Sequence, residues 1–195
     1  MAAVRRAIRW RLASWLGMLV CGGDALAQDT ITPFDATRSH AEFQVRVMWL
    51  FSVEGRFGNV TGELRLNRAA QTAQVRASID ATRVSMRRKD HEEWVKSAEF
   101  FDAARHPRVT FESSSFPLSV LEQGGDIPGT LTVRGQSRPV NFTLRASECP
   151  GRAAQACAVV ADGSIQRGDF GMKSHRTTLG DRVRLHLTIF GEKAK

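Results

Sequence analysis

Between His40 and Val47 apolar and polar residues alternate without a break: Ala41, Phe43, Val45 and Val47 share one side, His40, Glu42, Gln44 and Arg46 the other. Residues two apart share a face only in an extended chain, so this stretch is a half-buried β-strand. The same period returns at Val60 to Leu66 (Gly62, Leu64, Leu66), at Val75, Ala77 and Ile79, at Val109 to Ser113, and at Leu131 to Val133. It recurs at Val140, Phe142, Leu144 and Ala146, in Ala158 to Ile165, and at Val183, Leu185, Leu187 and Ile189. The pattern predicts about eight strands. Turn chemistry separates most of them, at Gly58-Asn59, Gly124-Gly125-Asp126, Gly135-Gln136-Ser137, Pro150-Gly151 and Leu179-Gly180-Asp181, and such short connections make neighbouring strands antiparallel.

Strands with one apolar face must stack as a sandwich or close as a barrel, because an open apolar edge recruits other chains. An eight-stranded barrel has an interior that packed side chains fill or that holds one small ligand. The inward positions here are Val, Leu, Ile and Phe, so any enclosed guest is expected to be apolar. Phe43, Phe57, Phe111 and Phe142 fall on strand positions compatible with the interior, as do Val45, Val47, Leu64, Ile79 and Leu185. One segment breaks the period: residues 90–104, with Trp94, Val95, Phe100 and Phe101 and a stop at Pro107, are expected to form one or two short helices. Arg87-Arg88-Lys89 stands at the entrance to that insert, where positive charge is unfavourable; Glu92 and Glu93 are the expected neutralising neighbours.

The first 27 residues have the order of a secretory leader: Arg5, Arg6, Arg9 and Arg11, then an apolar run from Leu12 to Cys21, then Ala25-Leu26-Ala27. The apolar run is half the ~20 residues needed to span a bilayer, and Val20 stands where a lipoprotein signal wants a small residue. Cleavage is expected after Ala27, leaving one domain over 28–195 in an extracytoplasmic compartment. Its net charge would be +5, down from +8 for the whole chain, because four arginines and Asp24 leave with the leader. Cys149 and Cys157 would then be the remaining cysteines, flanking the turn-prone Pro150-Gly151-Arg152. A structural disulfide is expected in an oxidising compartment; a redox pair usually has tighter spacing, and two cysteines are half a zinc site.

Catalytic motifs are not legible. Ser39, His40 and Asp169 do not come with a G-x-S-x-G nucleophile turn, and Asp169 is expected to cap the backbone of its own turn. The histidines His40, His91, His106, His175 and His186 lack the i, i+4 pairing of a helical metal site, and no metal or cofactor is expected. The basic group Arg83, Arg87, Arg88 and Lys89 suits a solvated face or transient contact with an anionic lipid surface; export argues against a nucleic-acid partner.

Four blocks of sequence resemble the YceI-like family of exported polyisoprenoid-binding proteins. They are His40 to Val47 followed by Gly55-Arg56-Phe57; Lys96 to Asp102 with His106 to Ser113; Gly129 to Val140; and Arg167-Gly168-Asp169-Phe170-Gly171-Met172. The resemblance implies an all-β, lipocalin-like, extended eight-stranded antiparallel barrel in the periplasm, with an elongated apolar cavity holding a prenyl chain and no catalytic residues. It adds Met172, Trp49 and Trp94 to the expected lining; the two tryptophans stand where the family often has histidine, at what is expected to be the cavity mouth and the helical lid. The loop from Trp49 to Gly55 looks shorter than the family's. The function implied is non-catalytic binding, storage or transport of an isoprenoid lipid such as a prenyl quinone or prenyl alcohol, by a monomer or homodimer. Two other readings stay open: an envelope interaction protein with a filled core, and an enzyme acting on an apolar substrate.

Overall fold

The computed structural model describes residues 29–152, 154 and 156–192; the expected leader and its cleavage point lie outside the described residues. Twelve strands form one antiparallel sheet: β1 Thr30–Pro33, β2 His40–Val47, β3 Phe51–Gly58, β4 Thr61–Asn67, β5 Thr72–Asp80, β6 Val84–Met86, β7 Arg108–Ser113, β8 Phe116–Pro117, β9 Gly125–Val133, β10 Gln136–Leu144, β11 Val159–Gln166 and β12 Leu179–Ile189. Their order is β1-β4-β5-β7-β9-β10-β11-β12-β2-β3-β6, with β8 paired to β5. The chain passes from β5 through a 3-10 turn, Ala81–Arg83, straight into β6, so consecutive residues tie the β4–β5 side of the sheet to its far edge. The sheet thus curls into the expected antiparallel barrel, with more strands than the periodicity counts.

The eight periodic segments are β2, β4, β5, β7, β9, β10, β11 and β12. Missed are β1, β3, β6 and β8. The largest is β3, whose first half, Phe51-Ser52-Val53-Glu54, leaves Phe51 and Ser52 exposed and so carries little alternation. The segment from Trp49 to Gly55 is not a loop but belongs to a tight β2–β3 hairpin, turning at Met48 and Trp49 with φ of 48° and 64° and pairing Val47 with Phe51. Leu179-Gly180-Asp181 is also not a turn. It opens β12, where Leu179 pairs with Val47 and the register shifts before Val183. The β9–β10 turn falls on Arg134 and Gly135, φ 52° and 70°; both are left-handed, as a type I′ hairpin turn requires.

The irregular insert is an α-helix, α1 Lys89–Lys96, followed by hydrogen-bonded turns in which Asp102 N–H donates to Ser97 O at 2.8 Å and His106 N–H to Asp102 O at 2.8 Å. Of the one or two short helices expected within 90–104, one forms, and the remainder is a series of turns. A second short helix, α2 Ser119–Gln123, had no sequence signal. The basic entrance to α1 is neutralised by Asp90, which accepts from Arg88 Nε at 3.0 Å. Glu93 instead accepts from Lys96 Nζ at 2.6 Å, and Glu92 accepts the Met86 backbone N–H at 3.0 Å.

Strand β12 runs between the two ends of the barrel and is about 33 Å long, ten steps of ~3.3 Å. At one end Leu179 lies beside the β2–β3 hairpin. At the other, Phe34 bridges Gly191, Asp35 N–H donates to Phe190 O at 2.7 Å, and Ser39 Oγ accepts from Phe190 N–H at 3.0 Å. Ser39 is thereby a buried structural hydroxyl closing the barrel end. Cys149 and Cys157 form a disulfide near this end, with Cα atoms 5.8 Å apart.

Candidate functional site

A single row of paired residues crosses the inner face: Ile127, Phe142, Gly163, Leu185, Phe43, Gly55 and Met86, each in register with the next. Every third place along it, from Gly163 to Gly55, carries no side chain, and the reason is visible at the glycines. A Cβ on Gly55 would meet the Phe43 ring at 2.3 Å and one on Gly163 the Phe142 ring at 2.6 Å. A Cβ on Gly129 would meet the Phe111 ring at 2.6 Å. Each phenylalanine lies down over a glycine of the next strand instead of projecting to the barrel axis. A core of upright rings would be filled; flattening them leaves space.

That space is a cavity of about 240 Å³, larger than the ~150 Å³ apolar void that takes up a benzene ring. Among the described residues its only polar lining comes from Glu42, His91, Arg167 and Thr178. Twelve of the fourteen residues expected from the sequence line it: Phe43, Val45, Val47, Phe57, Ile79, Trp94, Phe100, Phe101, Phe111, Phe142, Met172 and Leu185. Phe43, Phe57 and Phe101 form one aromatic wall, with ring centroids 5.4 to 6.0 Å apart.

The other two, Trp49 and Leu64, do not line it. Trp49 is 87% exposed at the hairpin tip, because the turn residue of a two-strand hairpin points past the end of the barrel. Leu64 is buried in a separate cavity of about 60 Å³, toward the Phe34 end. Ala77, Phe111, Phe142 and Leu187 line both cavities, and the Phe111 and Phe142 rings, edge to face at 5.0 Å, form the partition.

The lid end is held by α1 and the segment after β11. The Trp94 ring lies 4.7 Å from Phe100 and 5.1 Å from His175. Glu99 joins them: its Oε2 accepts from Trp94 Nε1 at 3.2 Å and lies 3.1 Å from His175 Nε2. The hydrogen bonds from His175 and then Trp94 outweigh desolvation and hold the Glu99 carboxyl below its ordinary pKa.

Sequence reasoning passed over Arg167, which is 2% exposed and borders the cavity. Its guanidinium donates to three backbone carbonyls: Nε to Gly180 at 3.0 Å, Nη1 to Met172 at 2.6 Å and Nη2 to Leu179 at 3.1 Å. Burial lowers its pKa, and the nearby Asp181 carboxylate opposes that shift. The turn Arg167–Phe170 is held not by Asp169, as expected, but by Asp181, whose Oδ1 accepts the Gly168 N–H at 2.9 Å. An arginine is rarely buried unless paired, so the sequence offered no signal for this role. Arg167 pins the start of β12 to the loop carrying Met172. Among the described residues no group of three His, Cys, Asp or Glu side chains is placed to hold a metal ion.

The fold and site define a class: extended antiparallel β-barrels whose interior is an apolar cavity instead of a filled core. Residues 33–190 match the model of the YceI-like domain, and the chain belongs to that family. A UPF0312 protein of Pectobacterium carotovorum is 26% identical over 188 residues, covering 92% of this chain and 94% of its own. Among solved structures, Burkholderia cenocepacia BcnA superposes with a TM-score of 0.67 at 19% identity, covering 80% of this chain and 98% of BcnA. A polyisoprenoid binding domain from Saccharophagus degradans, implicated in plant cell wall breakdown, superposes at 0.61 and 15% identity, covering 83% and 98%. At these identities the superpositions establish the fold.

Proposed function

We propose that this protein binds a long-chain isoprenoid, or a similar apolar lipid such as a prenyl quinone or prenyl alcohol, without chemical turnover, as a carrier or buffer in the periplasm after loss of its leader. The observation that carries this reading is the apolar cavity kept open by rings lying over glycines. Each CH₂ transferred into it contributes about 0.8 kcal/mol, so ten contribute about 8 kcal/mol before the costs of ordering the chain. Two of the four polar residues of the lining are engaged elsewhere: Arg167 on backbone carbonyls, and Glu42 3.9 Å from Arg56 on the outer face of the sheet. That supports binding over catalysis. The smaller cavity beyond the Phe111–Phe142 partition offers further room for a longer chain if those rings turn, which would make the partition the determinant of chain length. The name of the Saccharophagus neighbour is consistent with a polyisoprenoid guest.

Native mass spectrometry of the gently purified protein, with extraction and identification of whatever lipid it carries, tests the proposal. An isoprenoid adduct that leaves unchanged on incubation is expected. A homogeneous apo protein that also refuses added prenyl lipids would refute it.

A further inference from the structure

The barrel end that carries the lid also carries an apolar run that the interior does not use. Met48, Trp49, Leu50 and Phe51, at the β2–β3 tip, are 58, 87, 82 and 67% exposed. Four consecutive exposed apolar residues are a fault in a soluble surface unless they have a partner. Their surroundings say which. A depression beside Met48 and Trp49 is bordered by Arg46, Arg176, Arg182 and Arg184, against the one carboxylate of Asp181. None of these four arginines enters an ion pair among the described residues. By contrast, the basic group Arg83, Arg87, Arg88 and Lys89, which the sequence suits to a solvated face or to transient lipid contact, is partly neutralised, with Arg88 held by Asp90.

We infer that the β2–β3 tip inserts into the surface of an anionic lipid bilayer, with the four arginines resting on the headgroups. Tryptophan prefers the interfacial depth, and cations gain there from the negative surface potential. The tip is prepared for a dry environment: Met48 N–H donates to Thr178 O at 2.7 Å and Leu50 N–H to Val47 O at 3.2 Å. Insertion therefore leaves few unpaired backbone groups in the interface. The position is also the useful one for a carrier. Thr178 and Leu179 border both the arginine depression and the large cavity, so a docked tip sets the lid end against the membrane, and a guest could pass between bilayer and barrel. This inference rests on the carrier reading for its purpose, but not for its test.

The test is co-sedimentation of the purified protein with vesicles of phosphatidylethanolamine and phosphatidylglycerol, and with phosphatidylcholine alone, at low and high salt. Binding to the anionic vesicles that weakens with salt is expected, with blue-shifted tryptophan emission quenched by brominated acyl chains. The double variant Trp49→Ser, Leu50→Ser should partition at least ~10-fold more weakly. Arg176→Gln and Arg182→Gln should each cost about fivefold, corresponding to ~1 kcal/mol per cation at the surface. Equal sedimentation of the tip variant and the unaltered protein would overturn the inference. So would a dimer in vesicle-free solution that the tip variant dissolves while the vesicles leave the protein in the supernatant. Uptake of an apolar fluorescent probe without vesicles, measured on both proteins, reports the cavity separately. If neither takes up probe the carrier reading fails, while the docking result stands on its own.

Discussion

Adding one methyl group at Gly163 tests whether the cavity exists because aromatic rings lie flat. In Gly163→Ala the new Cβ would sit 2.6 Å from Cδ1 and 2.8 Å from Cε1 of Phe142, with Asn141 O at 3.4 Å. Carbon atoms pack best about 3.5 to 4.0 Å apart, so the ring must retreat by about 1 Å. Its free side faces the two cavities, so it can give way, at the lower end of the ~1 to 3 kcal/mol usual for overpacking. Alanine in a strand regains about 0.5 to 1 kcal/mol over glycine. The net loss of stability should therefore be small, about 0.5 kcal/mol. The sharper measure is the coupling with Phe142→Leu, whose smaller side chain removes the clash. A double-mutant cycle by urea unfolding should give an interaction energy of about 1 kcal/mol. Binding should register the change as well: a ring displaced by a methyl's width takes about one CH₂ equivalent from the guest, ~0.8 kcal/mol or about fourfold in affinity for an apolar probe. Additive stabilities together with unchanged probe affinity would refute the account of Gly163 as the floor beneath Phe142.

Three further outcomes are expected. Arg167→Met should destabilise by about 3 kcal/mol in urea unfolding, since three buried carbonyls lose their donor at ~1 to 3 kcal/mol each and some relax toward water; a neutral effect would show that the guanidinium is not the brace described. Glu99 has a folded-state pKa below its unfolded one, so its link to His175 and Trp94 is fully present above the ordinary carboxylate range and is lost as pH falls through the lowered value. Stopped-flow release of a bound probe should therefore accelerate on acidification, and Glu99→Gln should flatten that profile. Replacing both Cys149 and Cys157 by alanine should cost about 2.5 kcal/mol, the loop-closure value for a sequence separation of 8, while leaving probe affinity unchanged because neither residue borders the large cavity.

The strands that alternate cleanly were readable because each has one face in and one face out: β2 buries Ala41, Phe43 and Val45 and leaves their neighbours wetter. β3 escaped because its hairpin end reaches past the barrel, where nothing buries either face of Phe51 and Ser52. The same overhang misplaced Trp49. An aromatic residue near a strand end reads as a cavity rim, and only the hairpin geometry turns it outward to solvent. Leu64 was correctly read as inward, but the period that tells inside from outside is silent about position along the axis, and it falls beyond the partition. The glycines beneath the rings of Phe43, Phe111 and Phe142 lie on other strands, so these contacts awaited the register.

Local alternation, turn chemistry and the four motif blocks thus determined eight of the twelve strands, the antiparallel barrel, the family and most of the apolar lining, because each depends on neighbours in sequence and on the face a residue takes. The tertiary structure decided the rest: whether the interior is full or open, where it is divided, which end bears the lid, and that Arg167 is buried. Those properties depend on which residues of distant strands meet across the sheet. A ring that lies over a glycine leaves space that an upright ring would fill, and no periodicity within one strand records the difference.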